Sequence, residues 1–520
     1  MADFSTIGAS AWTNRQTNDF SQGRLFAVVG VFFLVYLFVA GVVFDRFPNS
    51  GDEYSYLLQT KIFLTGHLSF PSAPAEIRDF FILDHVIDDG RVRSKYSPGW
   101  PLLLCLSEPF GLSWCLNPLL AALMLYFLFR LAVVLLNPKM AWTAVVMTGV
   151  CPLFLYNSAS FYSHTSALLF MVLSLYAFTQ GLHRRRAGLC VLAGLTGGFT
   201  FLIRPLDGVV CGAALLLLAV QSKNIKAIAA AAAGSIPFGI VYLVYNHLQF
   251  GGAFTSGYEV YRPTLIKLIG ASNVRPEFSW INIHMYRPHL RWIFQFSAWI
   301  VPGAILLLPV GVWHLYRIGS APARRALIFG IGMLFVLFFV LQFTVSGAGD
   351  CYGPRYLYLW LLPAALFIAA GAEFMQKQSA SRGKRMWIAA ACLMAAANCV
   401  SLTWNGHTIQ QKIIERSGVY KMVAARDLSR TVVFLRDTDF FRPHWYTRNG
   451  INYRGDLVYV FDLGPRRNEQ FRTFYPGYRF YQYRTAVHPS VYTSAERSLE
   501  FTKILVPYHF GLGPDNDNGE

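Results

Sequence analysis

Charge is what this sequence has least of. Only 14% of its 520 residues are Asp, Glu, Lys or Arg, against roughly a quarter in soluble globular chains. With 54% hydrophobic residues and a mean hydropathy of +0.38, that deficit excludes an ordinary soluble domain. It points to a polytopic membrane protein. Acidic residues are scarcer still, 28 against 45 Lys and Arg, for a net charge of +17. In a soluble chain such an excess would suggest nucleic acid. Here the bases fall in short clusters between apolar runs, with no RNP-like or zinc-finger pattern, so membrane topology accounts for most of them.

Other absences narrow the field. The eight cysteines are scattered, without a C-x-x-C pair or Cys/His ligand spacing, so neither a disulfide framework nor a zinc site is supported. Most lie inside apolar runs, where Cys behaves as a small hydrophobe. There is no repeat of 20–50 residues, no low-complexity tract and no Asn-x-Ser/Thr site. The last absence leans toward a bacterial inner membrane over a secretory pathway. The polar segment Met1–Gly23 precedes a run too long for a signal-peptide core, so the first span is expected to remain as an anchor.

What is present is a series of apolar runs able to cross about 30 Å of hydrocarbon. They fall near Leu25–Val43, Leu116–Leu136, Trp142–Tyr156, Ser166–Phe178, Ala187–Ile203 and Gly208–Val220. The series continues with Ile228–Tyr245, Trp292–Leu315, Ala326–Val345, Tyr356–Phe374 and Met386–Trp404. About eleven transmembrane helices are therefore expected. With a cytoplasmic N-terminus every short inner loop is basic, including Arg130 and Lys139, Arg184–Arg186, and Arg317, Arg324 and Arg325, as the positive-inside rule demands. Asp52, Glu53, Asp207, Glu259 and Asp350 all fall outside. The expected division is a transmembrane domain, 1–404, with outer loops at 45–101 and 249–291, followed by an extracytoplasmic α/β domain, 405–520. In the latter, Thr431–Leu435 and Leu457–Phe461 read as short buried strands, and the tail Gly511–Glu520 reads as disordered.

The first outer loop holds the most chemistry. It opens Asn49-Ser50-Gly51-Asp52-Glu53-Tyr54-Ser55-Tyr56 and closes Lys95-Tyr96-Ser97-Pro98-Gly99-Trp100-Pro101. Ser50 and Glu53 fit a capping box opening a helix through Leu64, which explains Glu53 better than Asp52. A carboxylate beside an apolar surface can also act as a general base.

Four segments in order resemble the GT-C superfamily of integral-membrane glycosyltransferases, which includes protein O-mannosyltransferases and aminoarabinose transferases of lipid A. They are Gly51-Asp52-Glu53-Tyr54 with the helix after it, Lys95-Tyr96-Ser97-Pro98, Arg204-Pro205-Leu206-Asp207, and Tyr352-Gly353-Pro354-Arg355-Tyr356-Leu357. The resemblance covers Asp52 to Pro363. It implies transfer of a sugar from a polyprenyl-phosphate donor to a lipid, glycan or protein acceptor, with inversion. The absence of a Rossmann glycine fingerprint fits a donor that is not a nucleotide.

On that resemblance Asp52, with Glu53 beside it, is the catalytic carboxylate that deprotonates the acceptor hydroxyl. Lys95, Arg204 and Arg355 are the candidates to bind the departing phosphate, because all three sit on the outer boundary against the topology's own bias. Arginines near helix ends also snorkel or bind lipid head groups, and Asp207 reads as the partner of Arg204. Tyr54, Tyr56, Tyr96 and Trp100 are candidate sugar or lipid contacts, or an interfacial aromatic belt. His164 is a third kind of candidate, for a sugar hydroxyl, for a metal as in some family members, or as an interfacial residue. No cofactor is firmly expected. Some relatives place an acid just before the Lys of the second segment, where this chain has Ser94, which argues against a divalent metal.

The competing readings are a transporter or flippase of lipid-linked sugars and a non-catalytic membrane subunit. Transporters place ionisable residues near the bilayer midplane, often in repeated halves. Here the charges gather at one face, and the two halves do not match.

Overall fold

The computed structural model describes residues 19–261, 286–344, 351–378, 381–436, 449–489 and 499–510. Asp350, most of the second polar loop (262–285) and the tail from Gly511 lie outside the described residues. Among the described residues seven helices are long and apolar enough to cross a membrane, or nine if each of two bent pairs is one span. The chain divides into two compact units.

The first unit comprises 1–46, 113–239 and 277–407 and is helical. It contains α1 (Asp19–Phe38), which widens into a π-helical turn at Val39–Val43, and then α4 (Ser113–Leu135), α5 (Pro138–Gly149), α6 (Pro152–Ser158) and α7 (His164–Arg184). Next come α8 (Ala187–Ile203), α9 (Pro205–Gln221) and the first half of α10 (Ile225–Phe250). The unit ends with α11 (Tyr286–Trp299), α12 (Leu307–Ile318), α13 (Ala321–Thr344), α14 (Leu361–Gln378) and the start of α15 (Ser381–Ala425).

Two of the expected spans are broken. The run Trp142–Tyr156 divides into α5 and α6, which meet at 63°; Pro152 opens the second piece, where its missing N–H costs nothing. The run Trp292–Leu315 turns through 114° at Gly303, whose φ of +81° is open to glycine at little cost. The run Gly208–Val220 is a helix of 17 residues, Pro205–Gln221. Helices α12 and α14 pack closely because Gly311 faces the Phe367 carbonyl and Gly371 the Leu307 carbonyl, where a Cβ would collide. Small residues at such crossings let backbones approach in lipid.

The second unit comprises Phe47–Leu112, 240–276 and 408–520. Helices α2 (Gly51–Leu64) and α3 (Gly99–Leu104) flank a small antiparallel sheet of β1 (Phe70–Pro71), β3 (Arg91–Ser94) and β2 (Val86–Asp88), in that order. A second sheet has the order β5-β4-β6-β7, with β4 (Thr431–Leu435) parallel to both β5 (Leu457–Phe461) and β6 (Arg479–Pro489). The edge strand β7 (Leu499–Pro507) is antiparallel to β6, and α16 (Pro465–Arg472) follows β5. The two strands expected from the sequence occupy the residues expected.

Alternation along β4 explains how this sheet is covered. Val432 and Phe434 join a core with Val458, Val460 and Phe471 that also takes in Ala73, Ile77, Phe80 and Phe81 of the first polar loop. Val433 and Leu435 face the other way, against Val419 and Val423 of α15. Burying each such side chain stabilises the unit by about 1.5–3 kcal/mol. The first polar loop thus shares a core with the C-terminal segment. Helix α15 also continues well past Trp404, where the expected span ended. Its continuation is amphipathic, with Ile409, Ile413, Val419 and Val423 buried.

Candidate active site

In the second unit the capping box forms as the sequence predicts. Ser50 is the N-cap at φ −146°, ψ 159°, and its Oγ accepts from the Glu53 N–H at 3.3 Å. Glu53 Oε2 in turn accepts from the Asn49 N–H and the Ser50 hydroxyl, both at 2.9 Å. Glu53 is fully buried, and its carboxylate organises the start of α2. Arg416 of α15 completes the anchor by donating to the Asn49 carbonyl and, at 2.9 Å, to its Oδ1. With α2 so fixed, Asp52 at its second position points elsewhere.

Asp52 meets the closing end of the same loop. The Tyr96 hydroxyl donates to Asp52 Oδ1 at 2.5 Å, and His85 Nε2 lies 3.4 Å from Oδ2. His85 Nδ1 is 3.3 Å from Asp84 Oδ1, so the ring lies between two carboxylates, although Nδ1 makes no hydrogen bond among the described residues. Both carboxylates are mostly buried, 13% exposed each.

His85 has a backbone φ of +61°, a left-handed conformation unfavourable for a residue with a Cβ. Three hydrogen bonds to its backbone hold it there. Its N–H donates to the Tyr261 hydroxyl at 3.1 Å, and that hydroxyl donates to Asp84. Its carbonyl accepts from Ser55 Oγ at 2.7 Å and from the Lys95 N–H at 3.3 Å. Strain over-determined in this way is a mark of functional positions. His85 carries no motif, and sequence reasoning missed it, as it did Arg416 and Tyr261.

Burial raises the Tyr96 phenol well above its ordinary pKa, and the neighbouring Asp52 carboxylate adds to the shift. Burial and Asp84 act likewise on Tyr261. Both hydroxyls therefore stay protonated and able to donate at neutral pH. Lys95 is buried, its Nζ 4.4 Å from the Tyr261 ring centre, 4.7 Å from that of Tyr258 and 5.4 Å from that of Tyr96. Faces of aromatic rings attract a cation electrostatically. Gly257 closes against the Lys95 carbonyl, where a Cβ would not fit. Tyr54, Tyr56 and Trp100 are buried within the unit, and Tyr56 packs on Tyr96 with ring centroids 4.6 Å apart.

The remaining candidates meet in the first unit, on Tyr162-Ser163-His164. The Arg355 guanidinium lies over the Tyr162 ring, 4.6 Å from its centre, and donates to its hydroxyl. Arg204 donates to Asp207 Oδ2 at 2.8 Å and to Ser163 Oγ at 3.4 Å. His164 is buried between the rings of Tyr162 and Tyr358, with centroids 5.4 and 5.9 Å away. One short segment thus gathers Arg204, Arg355 and His164, which lie far apart in the chain. Among the described residues no group of three or more His, Cys, Asp or Glu is placed to hold a metal ion.

Residues 114–245, which include His164 and Arg204, match the family model described as dolichyl-phosphate-mannose-protein mannosyltransferase. No curated protein matches the chain in sequence. Among solved structures the chain is similar to ArnT from Cupriavidus metallidurans bound to undecaprenyl phosphate, with 13% identity and a TM-score of 0.53 over 92% of this chain and 98% of that one. The apo form of the same ArnT gives 13% identity and a TM-score of 0.51, over 92% and 97%. The chain is a multi-pass membrane protein with the fold of the GT-C glycosyltransferases.

Proposed function

We propose that this chain transfers a sugar from a polyprenyl-phosphate donor to the hydroxyl of an acceptor, at the outer face of a bacterial inner membrane. The observation that carries the reading is the Asp52 carboxylate, held at the start of α2 between the Tyr96 hydroxyl and the His85 ring. A carboxylate has about four acceptor directions, so accepting from Tyr96 does not exhaust it. Asp52 takes the proton of the acceptor hydroxyl as that oxygen attacks the anomeric carbon. The bond from that carbon to the phosphate oxygen breaks, its electron pair leaves with polyprenyl phosphate, and the configuration inverts. His85 and Tyr96 position the base.

Negative charge grows on the leaving phosphate, and cations fixed there stabilise the transition state more than the ground state. The resemblance nominates Lys95, as a point charge, and Arg204 and Arg355, as planar forks, for that role. Glu53 supports Asp52 through the helix cap.

The test is a transfer assay in reconstituted membranes with a panel of polyprenyl-phosphate sugars and anomeric analysis of the product. Release of polyprenyl phosphate with an inverted product supports the reading. Binding of a donor without turnover of any, accompanied by its movement across the bilayer, replaces it with the flippase.

A further inference from the structure

A cavity of about 460 Å³ lies against the hairpin that carries Asp84 and His85, within the size range of small-molecule sites. Its wall includes Leu83 and Val86, which flank those two residues in the chain, as well as Leu58 of α2 and the C-terminal segment 449–453.

Two kinds of lining meet there. One is aromatic: Phe81 and Tyr453 have ring centroids 4.5 Å apart, and Phe70 and Tyr453 5.9 Å. The other is polar but balanced. Asp88 lies 3.7 Å from Arg78, Asp89 pairs with Arg93 at 2.6 Å, and Asp79 with Arg467 at 3.4 Å. The guanidinium of Arg93 holds Asp89 below its ordinary pKa. Each carboxylate is matched to a cation, Arg78 within the lining and Arg93 and Arg467 behind it, so the region as a whole carries no unpaired charge to select an ion. It still presents carboxylate lone pairs to a donor. One buried donor also lacks an acceptor: Arg78 Nε, beyond hydrogen-bond reach of Asp88, makes no hydrogen bond among the described residues. A buried donor left unmade is unfavourable, and a ligand oxygen would relieve it.

Flat apolar faces, paired carboxylates and an orphan donor together complement a neutral polyol whose rings also carry C–H faces. A lipid chain would leave the polar wall unmatched, and an ion would meet a balanced one. We propose that this cavity binds a neutral saccharide, the glycan portion of the acceptor, on a wall shared with the His85 loop. The identification as acceptor subsite rests on the reading of Asp52 as the base.

The experiment is saturation-transfer NMR and titration on the full-length protein in nanodiscs, with cellotriose, maltotriose and N-acetylchitotriose as probes. At least one is expected to bind. Arg78→Met and Tyr453→Ala should each weaken it about tenfold or more. Ile451→Trp, which fills the cavity, should abolish binding, and Asp52→Asn should bind as the wild type does. Unchanged thermal melts show that the variants fold. Failure of all three probes to bind, or binding unaltered in folded cavity variants, overturns the proposal. If oligosaccharide binding follows the cavity residues while Asp52→Asn retains transfer, the cavity stands and the base assignment falls. If transfer needs Asp52 and binding ignores the cavity, the reverse holds.

Discussion

The Asp52 carboxylate lies 3.4 Å from the imidazole of His85, a residue held at φ +61° by contacts to Tyr261, Ser55 and Lys95. The loop's opening carboxylate is thereby joined to a strained turn at its far end.

That relationship separates the ring of His85 from its backbone. His85→Gly removes the ring but relieves a left-handed conformation that costs about 1–2 kcal/mol for a residue with a Cβ. His85→Ala removes the ring and keeps the strain. The glycine variant is expected to melt at least as high as the alanine variant, with both losing about 10–100-fold in kcat and little in KM. Neither should weaken Asp52→Asn further, because a positioning residue has no effect without the group it positions. Independent, additive losses would remove His85 from this role.

Tyr96→Phe deletes the 2.5 Å hydrogen bond to Asp52, an interaction of a kind worth about 1.5–3 kcal/mol. The Tyr96 pKa is raised in the folded state. Its contribution to stability is then fully present below the unfolded value of about 10 and is lost only as pH rises through the folded value. The variant should lose activity but keep the shape of the pH–rate profile between about pH 5 and 9. An alkaline limb that disappears in Tyr96→Phe would contradict this.

Glu53 tests the division of labour between the adjacent acids. A capping box accepts Gln at this position, so Glu53→Gln should keep most of the stability and activity. Glu53→Ala, which leaves the Asn49 N–H and Ser50 hydroxyl without their acceptor, should lower the melting temperature, at a cost of about 1–3 kcal/mol. Loss of activity in a fully stable Glu53→Gln protein would make Glu53 a catalytic group itself.

How much of this was legible follows from how local each feature is. The capping box and the two strands are written in residues close together in the chain, and they stand where the sequence predicts. The pairing of His85 with Asp52 depends on the fold-back of β2 on β3, and the meeting of Arg204 with Arg355 on Tyr162-Ser163 depends on helix packing. No spacing in the chain encodes either. The apolar run ends at Trp404 and so does the span expected from it, although helix α15 continues as an amphipathic one. Phe80 and Phe81 look like loop aromatics until the sheet of the C-terminal segment is seen to bury them.

The arginines should behave differently from each other. Arg204 neutralises the buried Asp207, so Arg204→Ala should destabilise the protein by about 3–5 kcal/mol, with much of that restored in Arg204→Met/Asp207→Leu. Arg355→Lys should leave the melt near that of the wild type and weaken binding of polyprenyl phosphate about tenfold, because Lys cannot replace the planar fork. Unchanged phosphate binding in Arg355→Lys would exclude Arg355 from the donor site.

The most direct measurement is the single-turnover rate of sugar transfer by Asp52→Asn against wild type, in the same membranes with the same donor. Asn keeps the shape of the side chain and can accept from Tyr96, but it cannot take a proton. The account predicts a fall of about a hundredfold to ten-thousandfold, with donor binding and thermal stability unchanged. A rate within a few-fold of wild type would show that Asp52 is not the base.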